Sequence, residues 1–397
     1  MDGGNIGKIA LSRRTFLRTV TFGGGALLFT PRAVAASGLF DHSDQPSSKL
    51  ITRVARPANL ETPVSEFTSW ITPNELFFVR SHFGPPTVSA LRDWRLTVTG
   101  DLQHPLELTL SDLKSFEEVT FPLLIQCAGN GRALYRPQVP GAQWEKGAVG
   151  TAEWTGVRLR DILQRAGIGK KTKHIQLQGA DRPLRLQTPL FIRSIPIEKA
   201  LDSYTLLAYK MNGDPLPLLH GAPLRIIVPG WYGDHCIKWL TNINLQEEEA
   251  EGFYMRTAYR MPKTPLTQGT PLNAADSFPL TEMLVKSLIA HPVDGSTLKQ
   301  PEVMIQGIAL TGEGDITRVE VSTDGGESWN DARLDNEEAK YSWRLWFFRW
   351  RPAAAGSYTI LSRASDSRGN VQPENATWNP SGYLWNATDR LRIQIET

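Results

Sequence analysis

The hydrophobic pattern is one of short apolar runs closed by Gly, Pro, Asn and Asp, which predicts mostly strands. Leu76-Phe-Phe-Val-Arg-Ser-His82 reads as a short apolar strand that delivers Arg80 and His82 to one side, into a loop closed by Gly84-Pro-Pro86. Trp94–Thr99 reads as a strand ending at Gly100, and Ser111–Ser115 as a short helix with a Ser cap. Phe121-Pro-Leu-Leu-Ile125 is a predicted buried strand that opens at Cys127 into the Gly-rich loop Ala128-Gly-Asn-Gly131. Leu159, Ile162, Leu163 and Ala166 fall at helical spacing, predicting a helix over 154–167 that stops at Gly167. His174–Gln178 and Ser203–Tyr209 are predicted strands, and Cys236–Leu240 begins another that ends the main domain. Residues 36–65 are polar, without sustained period, and are expected to wrap the surface.

Near Met261-Pro-Lys-Thr-Pro265 the composition shifts toward Pro and Thr, which places a domain boundary there, between 36–265 and 266–397. Beyond it, 303–310, 316–322, 341–350 and 356–364 alternate or run apolar between turns such as Asp324-Gly-Gly326, predicting an all-β sandwich. Six of the twelve Trp fall in this module (Trp329, Trp343, Trp346, Trp350, Trp378, Trp385), which favours a large aromatic core and suggests a subunit interface.

Residues 1–35 change the picture of where the chain works. Lys8, Arg13, Arg14 and Arg18 precede an apolar stretch around Phe22–Phe29 and then Ala33-Val-Ala35, the layout of a cleaved export signal, too short to stay in a membrane. Ser12-Arg-Arg-Thr-Phe-Leu17 within it resembles the twin-arginine signal for folded cargo, which implies a periplasmic protein that acquires a cofactor before export. The formal net charge of +2 on 397 residues, without long basic runs, points away from nucleic acid. Cys127 and Cys236 alone do not make a disulfide scaffold; single cysteines suggest a ligand or a nucleophile.

Cys127 stands where strand becomes loop, followed by residues that let backbone approach a ligand, with Arg132 and Arg136 to favour a thiolate and attract an anion. A buried inert cysteine is the competing reading. His220 and Arg225 are a lone His and a lone Arg flanked by turn residues, and Tyr259 lies in a basic, polar stretch.

In this order the residues resemble the sulfite oxidase family of molybdenum enzymes, in the type of bacterial periplasmic sulfite dehydrogenases, across essentially the whole mature chain. The resemblance is carried by Asn74–His82, Gln126–Asn130, Gly150-Thr-Ala-Glu-Trp154, Gly179-Ala-Asp181, Met211–Pro217 with His220–Arg225, Val228-Pro-Gly230 and Ile237-Lys-Trp239. In the carboxy-terminal module Val319–Trp329 and Ala364–Pro373 resemble that family's immunoglobulin-like dimerisation domain. The implied fold is a mixed α+β molybdopterin-binding domain followed by an all-β immunoglobulin-like sandwich. The resemblance further implies molybdenum held by one pterin dithiolene, with Cys127 as the one protein ligand to the metal. Phe78, Arg80, Ser81, His82, Asp181, His220, Arg225, Cys236 and Lys238 would line the pterin and its phosphate. Arg80, Arg132, Trp144 and Tyr259 would form an anion pocket for sulfite or another small sulfur oxyanion. The implied reaction is sulfite to sulfate, with electrons passed singly to an external acceptor such as a periplasmic c-type cytochrome, since no C-x-x-C-H haem motif occurs in the sequence. A homodimer is implied only by this resemblance and by the Trp-rich module.

Two positions depart from the family pattern: Ser381 stands in Trp378-Asn-Pro-Ser381-Gly382 where the family often has Arg, and Cys236 where it more usually has His. Alternatives on the same fold are a sulfane-sulfur dehydrogenase and an S-oxide reductase. From other classes come a cysteine nucleophile activated by His82 or His220, and a non-catalytic binding or assembly protein.

Overall fold

The structure, a computed structural model, describes residues 46–396 with the exception of residue 300; the export-signal reading falls on residues outside that range. Among the described residues strands dominate and the five α-helices are short. Among the described residues no helix is long and apolar enough to cross a membrane.

In the amino-terminal part, β1 (Ile51–Val54), β2 (Asn59–Glu61) and β3 (Val79–Arg80) form a small antiparallel sheet. This corrects the expectation that 36–65 only wraps the surface. Glu61 is buried there, where its carboxylate accepts from the amides of Glu145 and Gly147 and ties the strand to the Cys127 region. Next come β4 (Leu96–Gly100), β5 (Leu106–Leu108) and a helix over Leu110–Leu113. That helix is capped by Thr109 rather than Ser111, because Thr109 and Asp112 complete a reciprocal capping box two residues earlier.

Strands β6 (Val119–Gln126) and β7 (Val149–Arg158) pair over eight residues, and β7 runs directly into a helix over Leu159–Ala166. Helical spacing is therefore real only from Leu159. Trp154–Arg158 is strand because β7 is hydrogen-bonded on both sides, by β6 and by a later strand. The helix buries Leu159, Ile162, Leu163 and Ala166 and ends at Gly167 with φ +70°. Strands β8 (His174–Gly179) and β9 (Ile192–Pro196) follow. β10 (Leu206–Met211) begins three residues later than predicted, since Thr205 turns back to bond Lys199 and Asp202. The hairpin strand β11 (Asp214–Pro215), β12 (Arg225–Ile227) and β13 (Leu240–Gln246) complete two five-stranded sheets, ordered β11-β10-β7-β6 with β12 beside β10, and β5-β4-β13-β8-β9. Residues 236–239 are not strand, contrary to expectation. Trp239 has φ +51° and its amide and indole bond Gly221 and Leu218, which curls the segment toward a pocket.

The carboxy-terminal part is a sandwich of a four-stranded and a five-stranded sheet. Its strands at Val303–Leu310 and Ile316–Ser322 match expectation, as does Gly356–Asp366 but for two more residues. The strand predicted from 341 begins at Arg344, because Tyr341 takes φ +66°. Of the six Trp, Trp343 and Trp346 are fully buried, while Trp378 and Trp385 face the amino-terminal part. There Trp378 donates to the Pro137 carbonyl and Trp385 packs edge-on against Tyr135. A continuous apolar cluster joins the two parts, with Phe67, Leu124 and Ala128 from one and Leu288, Ile308, Trp343 and Tyr383 from the other.

Candidate active site

Three segments that are strands only in part converge on one pocket. The first is the end of β6, where the Cys127 amide bonds Ala148 at 2.9 Å and the Asn130 side chain bridges to Ala148 and Lys146 at 3.0 and 3.1 Å. Glycine is required at Gly131, which at φ +95° has the Trp385 side chain 2.4 Å from where a Cβ would stand, while a Cβ on Gly129 would lie 2.6 Å from the Arg132 guanidinium and displace it. The loop thus presents the Cys127 thiol from tight backbone. Burial pushes that thiol up, and Arg80 and Arg132 oppose the shift.

The second segment carries Phe77 to His82. Arg80 donates to the Asn59 side chain at 3.0 Å and to the Ser81 carbonyl. His82 stacks on Phe191 at 4.0 Å and shares a 2.7 Å hydrogen bond with the Tyr259 hydroxyl. Burial, then Arg80, Lys238 and Arg193, hold His82 well below its usual range, so the imidazole is neutral. Tyr259, at φ +56°, stacks on Tyr383 at 5.3 Å, and burial raises its phenol so that it keeps its proton.

The third segment is the pair of turns 218–225 and 233–239. His220 is pushed down to about 3 by burial and by Arg225 and Lys238. Arg225 lies over the Trp154 ring at 4.8 Å and donates to the carbonyls of His220 and Cys236, while its Nε has no partner; burial lowers it to about 10. Lys238 donates to Ser81 Oγ and the Leu219 carbonyl, both at 2.8 Å, and burial holds it well below the usual lysine range. Cys236 is buried, with the Val228 amide 3.3 Å from its sulfur, so in place of a ring it offers the pocket a thiol fastened to backbone.

Phe78, Arg80, Ser81, His82, Cys127, Asp181, His220, Arg225, Cys236, Lys238 and Tyr259, eleven of the residues singled out from sequence, share the wall of this one pocket, with about 730 Å³ of non-protein space that is partly open to solvent. Arg132 and Trp144 sit behind the wall. Arg132 is spent on the carbonyls of Ser381 and Ala142 and lies over the Tyr383 ring, and Trp144 is fully buried with its indole N–H unpartnered. Sequence reasoning missed Phe191 and Asp234, which also line the pocket. It also missed Arg193, fully buried, which pairs with Asp234 at 2.7 Å, bonds His235 at 2.9 Å and lies over the Tyr259 ring at 5.4 Å. Burial raises Asp234 to about 6, Arg193 opposing. The Asp234-His235 pair beside Cys236 was the available signal.

The donor set fits a pterin-borne metal. Among the described residues no carboxylate lies within 4 Å of Arg80, Arg225 or Lys238, so three basic side chains face one cavity without a direct ion pair although Asp181 and Asp234 stand in its wall, an arrangement with room for an anionic phosphate. Among the same residues no group of three or more His, Cys, Asp or Glu could close a metal site by itself, so Cys127 would be a single soft ligand with the remainder supplied by the pterin.

Residues 82–254 match the family described as an oxidoreductase molybdopterin binding domain, and residues 277–396 a Mo-co oxidoreductase dimerisation domain. Sulfite oxidase of Arabidopsis thaliana is 32% identical over 384 residues, covering 90% of this chain and 98% of that protein. The chain belongs to the sulfite oxidase family of molybdenum enzymes. Mitochondrial sulfite oxidase of Homo sapiens is 36% identical over 356 residues, and the match spans 86% of this chain and 65% of that relative's length; for the Rattus norvegicus protein the latter share is 64%. The crystal structure of the sulfane dehydrogenase SoxCD from Paracoccus pantotrophus superposes with a TM-score of 0.74 at 28% identity, covering 93% of this chain and 92% of that one. Mixed α+β domain followed by β-sandwich is therefore the family fold, and molybdopterin binding and a dimerisation domain are family properties of this chain.

Proposed function

We propose that this protein oxidises sulfite to sulfate with a molybdenum–pterin group, after twin-arginine export to the periplasm, and passes electrons singly to an external acceptor such as a c-type cytochrome. The carrying observation is that Cys127, Tyr259 and three basic side chains that have no direct ion pair share one pocket. When bound, the molybdenum–pterin group supplies oxygen-atom transfer and takes up the electron pair. Cys127 holds the metal, and Arg225 and Lys238, with Ser81 and His220 around them, hold the phosphate end. Arg80 meets the substrate's oxygens, and the neutral His82 keeps the Tyr259 hydroxyl aimed by the 2.7 Å bond. Arg132 acts from behind the Cys127 loop, its charge favouring the thiolate. The sandwich, 266–397, pairs two copies.

The test is sulfite-dependent reduction of ferricyanide by purified protein, with molybdenum quantified on the same sample. Activity with about one molybdenum per chain is expected for a single-cofactor site; a fully loaded protein that leaves sulfite untouched overturns the reading. Dehydrogenation of protein-bound sulfane sulfur is the second reading, favoured by the likeness to SoxCD. Turnover of a thiolated carrier protein but not of sulfite would select it.

A further inference from the structure

Beneath Tyr259 lies a cluster of three buried polar side chains: Arg193 on β9, and Asp234 and His235 in the turn before Cys236. Arg193 donates to the Tyr254 carbonyl and bonds His235 Nε2 at 2.9 Å, and its guanidinium lies over the Tyr259 ring at 5.4 Å. A guanidinium only donates, so Nε2 of His235 is the acceptor and the ring proton sits on Nδ1, 3.5 Å from Asp234 Oδ2. Burial and Arg193 hold that imidazole well below its usual range, so it stays neutral.

Asp234 is the member that reaches the pocket, where it shares a wall with Cys127 and Tyr259. Arg193 stands 2.7 Å from its Oδ2 but off the line of a hydrogen bond, and among the described residues neither carboxylate oxygen accepts one. An ion pair that served only to hold the turn would seat both oxygens on donors, because a buried acceptor left bare is costly. A buried carboxylate short of donors, facing a cavity, is instead ready to take a proton; burial raises Asp234 to about 6 against the pull of Arg193. The groups around it do not compete for that proton. Tyr232, Tyr259 and Tyr383 keep theirs through burial, as does the Cys236 thiol, and the Cys127 sulfur is reserved for the metal in the proposed reading.

We propose that Asp234 is the proton acceptor of this pocket, taking through its bare carboxylate oxygen the protons of the water consumed in sulfite oxidation. The proposal rests on that reaction. Sulfite plus water gives sulfate, two protons and two electrons; the electrons leave singly to two one-electron acceptors, and the carboxylate takes each proton in turn, becoming a carboxylic acid, then gives it to solvent through the open part of the pocket. Arg193 and His235 are positioning residues: the guanidinium keeps the carboxylate ionised between protons, and the neutral ring backs its second oxygen.

The experiment compares molybdenum-loaded wild type with Asp234→Asn and with Asp234→Asn/Arg193→Met, the double variant leaving no buried guanidinium without its partner charge should the single one fold poorly. Stopped-flow reduction by sulfite and reoxidation by saturating ferricyanide are measured separately. Both variants are expected to keep the sulfite-driven reduction and to be reoxidised roughly 100-fold more slowly, the scale of general-base assistance to a proton-releasing step. Wild-type turnover is expected to fall as pH drops through about 6, where the carboxylate gains its proton, and the variants to lose that limb. Infrared difference spectra of the oxidised proteins without sulfite give a second readout: a carboxylic-acid carbonyl band that grows in wild type over the same window and is missing from both variants. That band shows whether Asp234 takes a proton even if sulfite proves not to be the substrate, which separates the two failures. Variants with wild-type reoxidation and pH profile, whatever their stability, overturn the proposal, as does a wild type without the band.

Discussion

The pocket and the sandwich solve opposite problems with the same strand-rich chain. In the sandwich, Ile305, Val321, Trp346, Ile360 and Ala364 close a dry interior between two sheets, and the buried Asp366 is satisfied by Thr311, Asn370 and neighbouring amides. In the pocket, Arg80, Arg225 and Lys238 look into one cavity without a carboxylate in ion-pair contact, Asp181 and Asp234 standing elsewhere in its wall, and the two imidazoles are held neutral beside them. A closed apolar core stabilises the fold by itself, whereas buried cations that lack a direct ion pair cost stability until an anion arrives. Substitutions should therefore act with different readouts, and in one case opposite signs, in the two regions.

The largest effect is expected at Cys127. Cys127→Ser should abolish retention of molybdenum and reduce sulfite-dependent ferricyanide reduction to background, with the urea midpoint of the cofactor-free protein nearly unchanged; metal analysis on the purified variant checks it. Trp346→Ala reverses that profile. Removing a fully buried indole should destabilise by about 3–5 kcal/mol in urea unfolding, while folded protein retains its metal. Arg225→Met is the case of opposite sign. Losing the phosphate contact should weaken cofactor retention by about 10–100-fold, from the ~1.5–3 kcal/mol of a charged hydrogen bond, while the cofactor-free protein becomes no less stable. A fall in cofactor-free stability would break the comparison.

The smallest effect is a pH slope. His220 titrates at about 3 when folded against an ordinary 6.5, so between those values the unfolded chain binds a proton that the pocket refuses. Stability should therefore fall as pH drops through that window, and His220→Asn should flatten the dependence by up to one proton, read from urea midpoints at successive pH values.

Much of this was legible without coordinates. The run ending at Ile125 with a thiol and glycines behind it located the reactive loop, because strand-to-glycine transitions are local chemistry. The strands at 303–310 and 316–322 were given by their own alternation. The failures were equally physical: Trp154–Arg158 looked helical from the spacing that follows it, and Cys236–Trp239 looked like strand because apolar residues bracket it.

What the sequence determined was the inventory: a single thiol in a Gly-rich loop, scattered Arg, Lys and His at spacings resembling one family, and a sandwich at the end. Only the tertiary structure decided which of these face each other. It carried Lys238 to Ser81, 157 positions away, and His82 to Tyr259, 177 positions away, and it withdrew Arg132 behind the wall to the Ser381 carbonyl. It also buried Arg193 with Asp234 under Tyr259, a pairing between strand and turn that no local pattern contains. Local periodicity reports the preference of a segment for helix or strand; the burial and charge of a side chain depend on distant segments, and those are set only when the sheets close.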